Sequence, residues 1–214
     1  MPTFLATSAA TATFDYCTLA QVKARASIAS ATTTHDTVIA AAITAASRVI
    51  DEDTGRIFYS VSATKYYTPD NALTLFVPDD VLSVTTIQTV SSSGSGTRVY
   101  GFTWSATDYD LEPADGPPYT RIVVNDTGQY QFPTRRRGAL VTGSFGYNST
   151  GSYPDAINEA CIRMAARLFE RNKVPLGAIG TADFDGLKVA GTDPDYRMLI
   201  MPYRRYDAVV TASW

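Results

Sequence analysis

Apolar side chains recur along this chain in two different rhythms, and the change between them divides it. From Asp36, the positions Ile39, Ala42, Ile43, Ala46, Val49 and Ile50 follow at spacings of three and four, which predicts one stripe of an α-helix. Asp36 suits the first turn of that helix and Gly55 suits a left-handed cap at its end. The spacing returns after Tyr153, where Ile157, Ala160, Cys161, Met164, Ala165 and Leu168 form a second stripe, opened by Pro154 and Asp155. Its opposite face is polar and pairs Glu159 with Arg163 at i,i+4. The alanines of the first helix let another helix approach closely. Two shorter helices are expected. One starts at Thr18-Leu19-Ala20-Gln21, which has the form of a capping box, and the other runs from Asp193-Pro194 to about Met201, where Pro202 ends it.

Between Ile57 and Tyr147 the rhythm is that of strands. β-Branched and aromatic segments fall at Lys65–Tyr67, Leu73–Val77, Val81–Val90, Tyr100–Trp104, Tyr109–Leu111, Arg121–Val124 and Ala139–Phe145. Turn residues separate them, among them Pro69-Asp70-Asn71, Pro78-Asp79, Ser91 to Gly96 and Asn125 to Gly128. The expected class is therefore α+β: a small helical bundle formed by both ends of the chain, interrupted by an antiparallel β-sandwich or barrel-like insertion. The expected divisions are an extended arm at 1–17, a helical domain from 18–55 and 152–205, a β-domain at 56–151 and a tail at 206–214. Lys173 to Gly191, with four glycines and a proline, reads as a long loop. The tail is apolar at Val209, Val210 and Trp214, yet follows the last recognisable element, so it calls for a partner.

Composition narrows the function. The chain has 214 residues, a net charge of −3 and 45% hydrophobic residues, enough for a core without staples. Its acidic balance argues against a protein whose main affinity is for phosphate backbones. Fourteen arginines against four lysines favour protein-facing surfaces, because guanidinium groups make planar multi-donor contacts. The two cysteines, Cys17 and Cys161, match no metal or redox spacing and read as reduced, buried thiols. No apolar run approaches the ~20 residues that span a bilayer, and no basic n-region opens the chain, so neither membrane insertion nor export is expected.

The candidate chemistry is thin. The one histidine, His35, reads as an exposed residue before a helix, without a nucleophile beside it. Asp108, Asp110, Glu112 and Asp115 break the register of a calcium loop and read as a solvated strand edge. Gly94-Ser95-Gly96 and Gly143 to Gly146 precede no helix that could cradle phosphate, and both read as hairpin turns. Arg135-Arg136-Arg137 reads as a hairpin tip that is solvated or faces a protein. The expectation is no enzyme, no cofactor and no metal.

Taken in order, several segments resemble the head-tail connector proteins of tailed bacteriophages, also called adaptor or head-completion proteins, in their longer form with a β insertion. The matching residues are Cys17 to Lys23, Ile43 to Asp51 leading to Thr54-Gly55-Arg56, Val81 to Ile87, Asp108 to Pro113, Val141 to Tyr147, Ala165 to Arg171, Pro175-Leu176-Gly177 and Asp193-Pro194-Asp195. The closing Met201-Pro202-Tyr203-Arg204-Arg205 is the most specific of them. The resemblance implies a structural virion protein, assembled in the host cytoplasm and sited at the neck. There it would form a ring, expected to be twelve-fold, between the portal and a stopper or tail protein. DNA would pass through the channel without sequence-specific binding. Portal contacts are expected at Pro202, Tyr203, Arg204, Arg205, Tyr206, Val209, Val210 and Trp214, with the tail adding a strand to the portal. Subunit or tail-side contacts are expected at Arg48, Arg163, Arg167, Pro175, Leu176 and Phe184. Two alternatives are another neck or tail-completion ring protein, and a carbohydrate-binding β-module that uses Trp104, Tyr100 and Tyr109 on a helical stem.

Overall fold

The computed structural model describes residues 14–94, 97–126, 128–149, 153–173 and 193–205. The class is α+β, with four α-helices and a six-stranded antiparallel sheet among the described residues. The chain divides into two compact units, with boundaries between Thr54 and Gly55, between Tyr153 and Pro154, and between Tyr203 and Arg204. One unit holds the helices and the other holds the strands together with Arg204 and Arg205.

In the helical unit, α1 (Leu19–Arg25) begins at Thr18, whose side chain accepts from the Gln21 backbone while the Gln21 side chain caps the Thr18 N–H. These reciprocal bonds satisfy donors that a helix start leaves open, so a seven-residue helix can hold its place. α2 (Asp36–Thr54) and α3 (Asp155–Lys173) pack against each other through the expected stripes. Ile39, Ala42, Ile43, Ala46 and Ile50 are buried on the first, and Ile157, Ala160, Cys161 and Ala165 on the second. Phe169 rather than Leu168 closes the stripe of α3, since its ring reaches the interior while Leu168 stays half-buried. Gly55 follows α2 at φ +66°, the left-handed conformation that only glycine adopts without strain.

α4 (Pro194–Ile200) is capped by Asp193, which accepts from the Asp195 N–H, and a 3₁₀ turn (Met201–Tyr203) continues it. Pro202 sits inside that turn instead of ending the helix before it. The buried Tyr196 docks α4 on α2 by donating its hydroxyl to Asp53 Oδ2 at 2.8 Å. Tyr16 and Cys17, at the end of the expected arm, belong to this core and are buried.

In the β unit the strands are β1 (Val61–Tyr67), β2 (Thr74–Thr89), β3 (Ser92–Gly94), β4 (Thr97–Val99), β5 (Phe102–Thr103), β6 (Tyr109–Glu112), β7 (Tyr119–Val124) and β8 (Ala139–Phe145). The main sheet runs β1-β8-β2-β7-β6, with β5 on the end of β2, and β3 and β4 form a separate hairpin. The sequence pattern predicts two strands split at Pro78-Asp79. The chain instead keeps one 16-residue strand, whose pairing with β7 shifts register between Phe76 and Val81. Proline donates nothing to a ladder, and such an irregularity is where a strand tolerates it.

Gly143 is not in a turn, as the glycine pattern suggests, but in the middle of β8. A Cβ there would strike the Ser83 carbonyl oxygen, where β2 shifts register against β8. The core of the unit gathers Leu75, Val77, Val81, Ile87, Trp104, Ile122, Phe132, Val141 and Phe145.

Candidate functional site

The most specific sequence element, Met201 to Arg205, ends on a built ionic site. Arg205 Nη2 lies 2.8 Å from Asp80 Oδ1, and Arg56 Nη1 lies 2.5 Å from the same oxygen. The Asp80 side chain is 1% exposed, and each guanidinium is mostly buried. The fold makes this possible at the irregularity of β2, which turns Asp80 inward next to Val81. The Asp80 carbonyl accepts from the Gly146 N–H at 2.7 Å, and the Arg56 guanidinium lies over the Tyr147 ring at 5.3 Å. Gly146 has φ +140°, and a Cβ there would strike the Tyr59 carbonyl, so glycine is required where β8 ends beside the ion cluster.

Next to this cluster, Asp79 accepts from the Tyr67 hydroxyl at 2.9 Å and pairs with Lys65 at 3.0 Å. Burial pushes the Tyr67 hydroxyl well above its ordinary pKa, and the Asp79 carboxylate adds to that, so the phenol stays a donor. A carboxylate that meets two planar donors is the strong form of a charged hydrogen bond. The cluster fixes the backbone at Arg205, from which residues 206–214 continue.

The sequence pattern does not single out Asp80, since Pro78-Asp79 reads as punctuation, and it marks Arg56 only as the end of a matching segment. The signal was two consecutive aspartates inside an apolar run, in a chain rich in arginine.

The other expected contact residues are distributed differently. Pro202 and Arg204 are exposed and Tyr203 is half-buried. Tyr206, Val209, Val210, Trp214, Pro175, Leu176 and Phe184 lie outside the described residues. Arg163 binds Glu159 at 2.8 Å, the i,i+4 pair read from the sequence, and also Asp195 at 2.7 Å, which ties α3 to α4. Arg167 is half-exposed on α3. Arg48 donates to the Phe14 carbonyl at 2.9 Å and pairs with Asp51 at 3.1 Å.

Asp51 also accepts from the Tyr16 hydroxyl. Burial raises its carboxyl to about 6, against the lowering effects of Tyr16 and Arg48. A folded-state pKa above the unfolded value means that the native state holds the extra proton between about pH 4 and 6. Asp51 therefore favours folding at the acid end of that window, and its ionisation weakens folding as pH rises through 6. Asp51→Asn should stabilise the protein relative to wild type at pH 7.5 by about 1–2 kcal/mol, after solvent screening, and hardly at pH 4.5. Denaturant titrations of both proteins at the two pH values would check this; an equal difference at both would count against it.

The remaining candidates resolve into structural roles. Trp104 is 4% exposed and stacks with Phe132 and Tyr130, so its ring is covered and cannot present to a sugar. Tyr109 packs against the same core, and Tyr100 donates its hydroxyl to the Arg137 carbonyl at 2.8 Å. Asp108 is no solvated edge. It is buried, and its carboxylate accepts from the Ser105 N–H at 2.6 Å to close a turn. His35 is exposed, with its ring 5.6 Å from that of Phe169. Arg135, Arg136 and Arg137 are exposed in the connection before β8, where Arg137 takes a positive φ of 53°.

Among the described residues, no three His, Cys, Asp or Glu side chains could together hold a metal ion, and no helix is long and apolar enough to cross a membrane. An open apolar groove of about 510 Å³ lies along α2 and α3, lined by Thr37, Val38, Ala41, Ala42, Ala45 and Leu168.

No protein-family model matches the chain. No curated protein matches it in sequence. Solved structures do match its fold. A chain from the neck of an empty gene transfer agent (GTA) particle, computed with C6 symmetry, is 20% identical with a TM-score of 0.57, over 90% of this chain and 91% of that one. A chain from the neck of the native GTA particle, computed with C12 symmetry, is 19% identical with a TM-score of 0.55, over 97% of this chain and 98% of that one. A chain from the virion of the native particle is 19% identical with a TM-score of 0.51, over 90% and 91%. At these identities the likeness is one of fold.

Proposed function

We propose that this chain is a structural neck protein of a phage-like particle and acts there as one subunit of a symmetric ring. The observation that carries this reading is the likeness of fold over 97% of the chain to a chain of a neck computed with C12 symmetry, with hardly any residue of either left over. Within the neck, its role is that of an adaptor between the portal and the stopper or tail, with a central passage for DNA and no catalysis. The helical unit offers the small-residue groove of α2 and α3 as a surface on which a neighbouring subunit can close the ring. The Asp80 cluster offers a rigid root for the C-terminal residues, of which Val209, Val210 and Trp214 are the apolar positions that gain by adding a strand to the portal. Arg204, exposed beside that root, presents a guanidinium whose planar donors suit a carboxylate of the portal.

The test is removal of residues 206–214. The truncated protein should keep the wild-type circular dichroism spectrum and melting temperature, and should lose attachment to portal-bearing heads by at least tenfold in a sedimentation assay. A folded truncation that attaches as well as wild type would rule out the portal contact. Absence of the full chain from the neck in an image of intact particles would rule out the adaptor role itself.

A further inference from the structure

The helical unit brings two distant thiols together. Cys17, in the turn that enters α1, and Cys161, in the middle of α3, lie 144 positions apart in sequence, yet their sulfurs are 3.1 Å apart. Both are free thiols, with Cys17 7% exposed and Cys161 fully buried. The polar surroundings are local: Ser47 Oγ lies 3.5 Å from Cys161 Sγ and itself accepts from the Tyr16 N–H at 3.1 Å. An apolar residue of similar size at either position would fill the same space. Sulfur–sulfur bonds are about 2.05 Å, so the pair needs to close by only about 1 Å to bond.

We propose that Cys17 and Cys161 form an oxidation site, at which a hydroperoxide converts them to an intramolecular disulfide that staples the entry of α1 to α3. The Cys17 thiol donates to Cys161, which lowers the Cys161 pKa against the raising effect of its burial, with Ser47 and the Tyr16 backbone acting in the same direction as Cys17. The Cys17 thiol is correspondingly raised, first by that bond and then by burial. The direction of the two shifts favours Cys161 as the attacking sulfur.

Its sulfur attacks one peroxide oxygen, the O–O bond breaks, and the departing hydroxide takes up a proton and leaves as water. Cys161 is then a sulfenic acid. The Cys17 sulfur next attacks Cys161 Sγ, the S–O bond breaks, and the hydroxyl leaves with the Cys17 proton as a second water. Two thiols and one hydrogen peroxide thus give one disulfide and two waters, with the sulfurs oxidised and the peroxide reduced. The bridge would pin the chain where residues 1–13 join the helical unit, and it would do so reversibly, because a dithiol returns both sulfurs to thiols.

The test uses the full chain treated with hydrogen peroxide, alkylated, digested without reduction and analysed by mass spectrometry. The expected result is a linked pair of peptides carrying Cys17 and Cys161, separated again by dithiothreitol, with a melting temperature several degrees above that of the reduced protein. Cys17→Ser should remove the linked pair and let Cys161 run on to sulfinic acid. Two alkylated thiols after treatment, separate over-oxidation of each cysteine in the wild type, or a bridge between two chains would each overturn the proposal.

Discussion

Asp80→Ala is expected to cost the β unit about 3–5 kcal/mol, the range in which removal of one member of a buried ion cluster falls. Asp80 is almost fully buried and takes Arg56 and Arg205 on the same oxygen. Without it, two mostly buried guanidiniums face each other with no intervening charge, and their repulsion adds to their lost solvation. Arg205→Ala should cost much less, about 1 kcal/mol, because Asp80 keeps Arg56 and that remaining pair is neutral. The two variants separate a buried charge from a mere contact. Denaturant unfolding followed by tryptophan fluorescence would measure both, and a loss below about 1 kcal/mol for Asp80→Ala would mean that water reaches the carboxylate. The pair also tests the root of the C-terminal residues. If Asp80 holds that root, protease cleavage near Arg204 should quicken in Arg205→Ala while the sheet stays intact.

The second large effect is expected at Trp104. Its ring lies 4.5 Å from that of Phe132 and 5.8 Å from that of Tyr130, centroid to centroid, and its indole N–H donates to Thr89 Oγ1 at 3.1 Å. Its backbone N–H donates to the Ile87 carbonyl, which seats the end of β5 beside β2. Trp104→Ala removes the largest side chain of the core and leaves the Thr89 hydroxyl without its donor. The expected loss is about 3–5 kcal/mol. Trp104→Phe keeps the stacking and should lose clearly less. Near-ultraviolet circular dichroism and denaturant unfolding would show the order Ala, Phe, wild type in rising stability. Equal behaviour of the two variants would mean that the hydrogen bond, and not the ring, carries the effect.

Both sites show where sequence pattern stops informing. The helices were legible because their causes lie within a few residues. Three- and four-residue spacing sets the stripes of α2 and α3, Thr18 and Gln21 cap each other across one turn, and Gly55 takes the one conformation it is suited for. Glu159 and Arg163 met for the same reason. Most of the strands were visible too, as β-branched and aromatic runs. Alternation does not say which strand pairs with which. It could not show that β8 would lie between β1 and β2, or that β2 would run on through Pro78. Gly143 therefore looked like a turn residue, although its meaning lies in the Ser83 backbone of another strand.

The candidate site divides in the same way. The Pro202 to Arg205 element stood out by itself, while Asp80, 125 positions before Arg205, did not. Likewise Cys17 and Cys161 looked unrelated, and Trp104 could pass for a binding residue until its burial against Phe132 and Tyr130 was seen.

The amino-acid sequence by itself determined the α+β class, the two helical stripes with their caps, and the stretch in which strands replace helices, because each of these follows from interactions over one or two turns of chain. The tertiary structure alone decided the strand order, the burial of Asp80 between two arginines and the meeting of the two thiols. Those depend on which distant segments share a core, and the free energy that selects them comes from packing surfaces together, which no local period encodes.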